Sequence, residues 1–168
     1  ETNHYQFYQI LAIAKALELR GAEVMVLLCD SSLNGCEIKN ITTPKTDPCL
    51  TCRFNRTNIV PLFNLTVKTL SDYISPIERE EIEKEVNQIN TDYPEVYCVE
   101  EIDIIPMVND SVVRYYFGAV PSDGDPVSDI RKGHLNTALT GLKIADKIYK
   151  KWKPDLIVGN MNVYSMWE

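Results

Sequence analysis

A helix followed by a glycine turn and a short, wholly apolar segment is the pattern that most constrains how this chain can fold. Residues 5–19 hold eleven apolar and four polar positions, and the polar positions do not share a face, which is typical of a mostly buried helix. Arg20 and Gly21 end this segment with a basic last turn and a left-handed C-cap. Residues 24–28 are continuously apolar, which predicts a strand covered on both faces in a parallel sheet. Helix, turn and buried strand together make half of an α/β unit.

The rest of the chain continues an alternation of helices and short strands. A capping box at Ser75 and Glu78, with Pro76 at the first helical position, predicts a surface helix to about residue 90. The apolar run at 156–158 predicts a second buried strand, parallel to the first and beside it. The other predicted elements are a moderately helical stretch at 59–74, short strands at 96–99 and 102–105, a helix from Pro106 to about residue 117, and a long helix from Asp125 to about Trp152. The sequence therefore predicts an α/β, Rossmann-like domain with a parallel sheet flanked by helices.

Two glycines and a histidine lie inside the predicted long helix. Gly133 and Gly141 each cost roughly 1 kcal/mol of helix propensity relative to Ala. We therefore expect them where the helix packs closely against a strand. His134 lies in phase with the apolar positions of the helix, so we expect its side chain to be packed in the interior and not to be catalytic.

Four of the five cysteines fall within one short stretch of turn residues, at 29–58, which predicts a Cys-rich loop inserted in the domain. The four are Cys29, Cys36, Cys49 and Cys52, and they supply the number of thiolates that a tetrahedral zinc site needs. The last two form a C-x-x-C pair, and a structural zinc ion would order the loop. Three alternatives stay open: an iron–sulfur cluster, a thioredoxin-like redox pair, and free or oxidised cysteines with Cys29 buried at a strand end.

Size and charge limit the classes of function. The chain has 168 residues, enough for one domain, and a net charge of −7, which would repel a nucleic-acid backbone. It contains no apolar run long enough to span a bilayer and no signal-peptide pattern. No strand precedes the first helix, and the sequence stops soon after the last predicted strand. We therefore predict that 1–168 is a fragment of a longer polypeptide, which works in the cytoplasm or at the inner face of the membrane.

Two segments resemble the N-terminal domains of nucleotide-sugar-dependent glycosyltransferases of the GT-B architecture. The run IAKALELRGAEVMVLLCD at 13–30 is similar to their "A-x-x-L-x-x-R-G-H-x-V" phrase, with matches at Ala14, Leu17, Arg20, Gly21 and Val24. The run WKPDLIVGNMN at 152–162 is similar to the strand "kPDvvv-x-N-G" that ends the crossover of the same domain. Cysteines after "LLCD" are also found in the capsule and cell-surface polysaccharide transferases.

The resemblance implies a role for each part of the fragment. This domain would hold the acceptor, a glycan or a lipid-linked sugar, and a C-terminal domain of the same polypeptide would bind the nucleotide-sugar donor. His4 would be the catalytic base. Asp30, Asn160 and Asn162 follow predicted strands, where open α/β sheets bind ligands, and they are the candidate acceptor-binding residues.

Two other functions are compatible with the same residues. One is a non-catalytic, zinc-stabilised α/β binding module whose partner is another protein. The other is a redox subunit that uses the cysteine cluster.

Overall fold

The computed structural model describes residues 3–42, 49–89, 96–121 and 125–159, without the side chains of 3–6, 125 and 126. The described elements, in chain order, are α1 (Asn3–Leu19), β1 (Met25–Leu28), α2 (Leu50–Phe54), a π turn (Asn55–Ile59), a 3₁₀ turn (Val60–Phe63), β2 (Thr66–Thr69), a 3₁₀ turn (Leu70–Asp72), α3 (Pro76–Gln88), β3 (Cys98–Val99), β4 (Ile102–Asp103), α4 (Ile105–Tyr115) and α5 (Asp125–Trp152). The protein is therefore a mixed α/β fold, mostly helical over the described part, with a small parallel sheet.

Helix α1 ends as its sequence predicts. The N–H of Gly21 donates to the carbonyl of Glu18, and the N–H of Ala22 donates to the carbonyl of Leu17. This pair of bonds is a Schellman motif, and Gly21 takes the left-handed conformation that the motif needs, with φ +92°.

Helix α1 and strand β1 are less buried than predicted. Leu11 and Ala14 of α1 pack on Val26 of β1, but Ile13 of α1 is 47% exposed. Leu27 of β1 is also partly exposed, so the prediction of a strand covered on both faces is wrong for that position. A single stripe of α1 contacts the strand, because the sheet around β1 is only two strands wide in the described residues.

The parallel partner of β1 is β2, and its register places Val26 beside Val67. The sequence predicted a helical stretch here, yet three of the four residues of β2 are β-branched, which suits a strand. The predicted strand at 156–158 is wrong, because the described residues 154–159 contain no strand. Leu156 and Ile157 are 70% and 75% exposed there. A small parallel sheet is thus present, but the strand that pairs with β1 is β2 and not the predicted segment at 156–158.

Local helix signals are confirmed in the second half of the chain. Ser75 and Glu78 form the predicted capping box at the start of α3, with Pro76 at the first position. Helices α4 and α5 match their predicted positions, and the two short strand candidates form the antiparallel pair β3–β4. None of the described helices is long and apolar enough to cross a membrane.

The largest core joins α3, α4 and α5. Its buried side chains come from these three helices and from the two segments that precede α3 and α4: Tyr73, Ile74, Ile82, Val86, Ile104, Met107, Val108, Leu135, Ala138, Leu139 and Ile144. A separate cluster holds α1 and β1 together with Val60. Met25 of β1 packs against the helical core from the sheet side, so β1 lies between the two clusters.

Candidate metal centre: a four-cysteine cluster

The structure brings Cys29, Cys36, Cys49 and Cys52 into one neighbourhood, which we call the four-cysteine cluster. Cys29 follows β1 directly, Cys49 immediately precedes α2, and Cys52 lies within α2. Cys52 interacts electrostatically with the other three thiols. All four are partly buried free cysteines, whereas Cys98 is exposed on β3. Three separate segments of the chain therefore contribute thiols to one region beyond the carboxyl end of β1.

The segment around the C-x-x-C pair is helical, which corrects the prediction of a continuous loop at 29–58. Helix α2 runs directly into the π turn and then the 3₁₀ turn, so Leu50–Phe54 begins a longer helical segment. Val60 of this segment packs in the cluster with α1 and β1. Arg56 donates a hydrogen bond from Nη1 to the carbonyl of Cys29, at 3.1 Å. This bond joins the π turn that follows α2 to the end of β1, and residues 43–48 lie outside the described part.

Burial and mutual repulsion oppose ionisation of the thiols. Burial first of all, and then the neighbouring Cys36, Cys29 and Cys49, raise the pKa of Cys52 to about 11, while Arg56 partly offsets them. A thiolate in the midst of other thiolates is disfavoured because like charges repel at short range.

Cys36 is held by the backbone of the turn that follows it. Burial raises the pKa of Cys36, while hydrogen bonds from the backbone N–H groups of Ile38 and Lys39 act in the opposite direction. Two N–H donors aimed at one sulfur stabilise its thiolate form. The turn is closed by a further bond, from the N–H of Lys39 to the carbonyl of Cys36 at 3.0 Å.

The donor set suits a metal ion, although the sulfurs do not already surround a single point. Four thiolates are the ligands that zinc and iron–sulfur clusters prefer. Within the part of the chain that the structure describes, no group of three or more His, Cys, Asp or Glu side chains is close enough to hold an ion as arranged. Coordination by the four-cysteine cluster therefore requires rotation of the cysteine side chains towards one another.

A second polar group lies at the same edge of the parallel sheet. Burial tends to raise the pKa of Asp30, but its interactions with the neighbouring Ser32 and Ser71 outweigh this effect and hold that pKa below its ordinary value. Arg79 of α3 joins the two strand ends, because its Nη1 donates to the carbonyl of Ser32 at 2.8 Å and its Nη2 donates to Ser71 Oγ at 3.1 Å. An ionised carboxylate beside hydroxyl groups can accept hydrogen bonds from a sugar.

The other predicted acceptor-side residues cannot be placed in this group. His4 lies in the first turn of α1, but its side chain is outside the described part of the structure. Asn160 and Asn162 also lie outside the described residues. Of the predicted sugar-site residues, Asp30 is thus the one whose surroundings are described.

A buried polar group that the sequence does not indicate lies beside the four-cysteine cluster. Glu37, next to Cys36, is 5% exposed, and its Oε1 lies 2.9 Å from Ser111 Oγ and 3.3 Å from His134 Nδ1. His134 is 3% exposed, which confirms the prediction of a packed histidine. No sequence pattern pairs these residues, because 74 positions separate Glu37 from Ser111. The one sequence feature that could have drawn attention to Glu37 is its position next to Cys36, a candidate metal ligand.

Comparison of this chain with protein families, with curated proteins and with solved structures found no match. The candidate functions therefore depend on the residues of the chain itself.

Proposed function

We propose that this α/β domain binds a metal ion through the thiolates of the four-cysteine cluster, with zinc as the ion and a structural role for the site. The supporting observation is that all four cysteines are partly buried and that Cys52 lies within electrostatic reach of the other three, which come from three segments of the chain. Zinc accepts four cysteine ligands in tetrahedral geometry, and its binding free energy can order segments that lack a core of their own.

The raised pKa values of Cys36 and Cys52 argue against redox catalysis at this site. Catalytic and redox-active cysteines have lowered pKa values, because the thiolate is the nucleophile. The pKa values of Cys36 and Cys52 are instead raised, first of all by burial. A divalent ion removes the repulsion between thiolates and makes their deprotonation favourable. The redox alternative lacks this support, even though the C-x-x-C pair does open a helix.

The test is metal analysis of the purified, reduced protein. We expect one equivalent of zinc after loading and exhaustive dialysis at neutral pH, and loss of that zinc in Cys52→Ser and Cys36→Ser. Cys98→Ser is the matched control, because this cysteine is exposed on β3, and it should keep one equivalent. Wild-type protein without zinc, or equal loss in Cys98→Ser and Cys52→Ser, would contradict the proposal. Iron and sulfide in the same analysis would identify an iron–sulfur cluster instead.

A second candidate function is the one implied by the resemblance to GT-B glycosyltransferases. It is supported by the polar edge at the carboxyl ends of the parallel strands β1 and β2, where Asp30, Ser71 and Arg79 lie together. In this proposal the sheet belongs to a larger Rossmann-like domain. That domain would hold a glycan or lipid-linked acceptor, while a C-terminal domain of the same polypeptide binds the nucleotide-sugar. Catalysis in such a cleft comes mainly from positioning the reactants.

The test of this second function is a donor and acceptor screen on the full-length polypeptide. We expect transfer from one nucleotide-sugar, with Asp30→Asn raising the KM for the acceptor by about tenfold, the order of effect of losing one hydrogen bond to a charged group. Asp110→Asn, an exposed position on α4, is the control and should leave KM unchanged. Absence of transfer with every donor class, or equal KM values for Asp30→Asn and wild type, would contradict it.

A further inference from the structure

The turn that carries Cys36 is joined to helix α5 by a reciprocal pair of hydrogen bonds. The N–H of Gly35 donates to Thr137 Oγ1 at 2.8 Å, and Thr137 Oγ1 donates in return to the carbonyl of Gly35 at 2.9 Å. Thr137 is 1% exposed, so both bonds are shielded from water. Its hydroxyl satisfies the donor and the acceptor of one backbone residue that would otherwise be buried without partners.

The backbone of the turn lies directly on the backbone of the helix. A Cβ added at Gly35 would lie 2.7 Å from the Cα of His134 and 2.8 Å from the carbonyl carbon and oxygen of Gly133. Such distances are too short for any side chain, so the absence of one at Gly35 permits the contact. The same contact fixes how far the turn stands from α5.

A second anchor holds the residue on the other side of Cys36. The carboxylate of Glu37 contacts Ser111 of α4 and His134 of α5, and all three residues are at most 5% exposed. Cys36 thus lies between two residues that are each fixed to the helical core. The backbone of Cys36 is therefore held close to α5 from both sides, while its side chain can still rotate.

We infer that Thr137 and Glu37 are positioning residues, which hold Cys36 where it can join the other three cysteines around a metal ion. The inference rests on the metal site proposed above. Neither residue contacts the metal in this scheme, and both act through the backbone and carboxylate contacts of the turn. Residues that orient metal ligands in this way typically change metal affinity by about 10–100-fold when they are replaced.

The test compares Thr137→Val with Thr137→Ser. Valine has nearly the same shape as threonine but cannot form either bond to Gly35, whereas serine retains the hydroxyl. We expect zinc affinity, measured by competition with a chelator, to fall about 10–100-fold in Thr137→Val and to stay near wild type in Thr137→Ser. Thr140→Val, a buried threonine further along α5, controls for loss of stability without loss of the turn contact.

A second measurement makes the positioning testable without metal. Alkylation of Cys36 in the metal-free, folded protein, mapped by mass spectrometry, should be faster in Thr137→Val, while exposed Cys98 reacts equally in all variants. If Thr137→Val had the same zinc affinity and the same rate of Cys36 alkylation as the wild-type protein, the inference would be overturned. Thr137 would then have a purely structural role.

These experiments distinguish failure of the proposed metal site from failure of the proposed positioning role of Thr137. Absence of zinc in wild type removes the metal site, and the alkylation rates still decide whether Thr137 positions Cys36. If Thr137→Val does not fold, Glu37→Gln replaces it with the same two measurements, since the amide keeps the shape of the side chain and loses its charge. Unchanged zinc affinity and unchanged Cys36 alkylation in Glu37→Gln would also overturn the inference.

Discussion

Replacing Gly35 by alanine should destabilise the protein, against the usual effect of this substitution. The φ angle of Gly35 is not in the left-handed region, so alanine can adopt its backbone conformation. Such changes normally stabilise a protein by roughly 0.4–1 kcal/mol, because alanine has less conformational freedom in the unfolded chain. At Gly35, however, the new Cβ would lie 2.7 Å from the Cα of His134.

The magnitude follows from the two ways in which the clash can be relieved. Forcing an extra methyl into a packed site costs about 1–3 kcal/mol. Moving the turn away from α5 instead lengthens both hydrogen bonds to Thr137, each worth about 0.5–1.5 kcal/mol. After the entropic gain of alanine is subtracted from either cost, we expect a net loss of about 0–2.6 kcal/mol in the free energy of unfolding, with a midpoint of about 1.3 kcal/mol.

Two other glycines provide matched controls, because replacing them by alanine should increase the free energy of unfolding instead of lowering it. Gly141 has no neighbouring atom within 4 Å of an added Cβ, and at Gly133 the nearest atoms would lie at an ordinary 3.6 Å. Both lie within α5, so alanine should stabilise each variant by roughly 1 kcal/mol through helix propensity. Urea unfolding followed by far-UV circular dichroism gives all three free energies. If Gly35→Ala were as stable as Gly141→Ala, the close contact between the turn and α5 would be refuted.

Three further predictions concern the helical core and its surface. A hydrogen bond from Lys147 lowers the pKa of Glu78 from 4.5 to about 2, so its ionised form stabilises the folded state above pH 4.5 and this contribution is lost as the pH falls towards 2. Glu78→Gln should flatten the acid side of the stability profile in that window, and Glu83→Gln, at an exposed position of α3, should not. Tyr73→Phe should cost about 1–3 kcal/mol in urea unfolding, because the Tyr73 hydroxyl accepts a bond from an indole N–H at 2.9 Å; wild-type stability would show that this bond contributes nothing. Ile104→Ala should cost about 2–5 kcal/mol, since Ile104 is fully buried, and a loss below 1 kcal/mol would mean that the core there collapses around the gap.

Local signals in the sequence predicted the helices, because the residues that begin and end a helix are close together in the chain. The Schellman motif at Gly21 and the capping box at Ser75 and Glu78 are both complete within a few residues. The strand pairing was not predicted, because β2 and the run at 156–158 are both short and only the tertiary structure selects between them. The turn-rich composition at 29–58 likewise hid the helical segment that begins at Leu50, whose Val60 packs in the cluster with α1 and β1.

At the candidate site, too, the sequence indicated some residues, while other residues could be identified only from the tertiary structure. The spacing of the cysteines indicated which residues could act together, and the structure places them in one neighbourhood. The explanation offered for Gly133 and Gly141 was wrong, because α5 meets a turn at Gly133, at ordinary contact distance, and meets nothing at Gly141. The glycine at which packing leaves no room for a side chain is Gly35, which the sequence indicates only as a turn residue. Its partner Thr137 lies 102 positions away.

The position of the four-cysteine cluster also gives a bound ion a mechanical role. Cys29 follows β1, and Cys49 and Cys52 lie at the start of the helical segment that contains Val60, so these three cysteines lie on elements that pack in the cluster around α1. Cys36 is fixed instead to α5, which is part of the larger helical core. An ion bound by all four thiolates would therefore link the two hydrophobic clusters through a few strong bonds. Removal of the ion by a chelator should then lower the cooperativity of unfolding as well as the stability, because each cluster could open without the other.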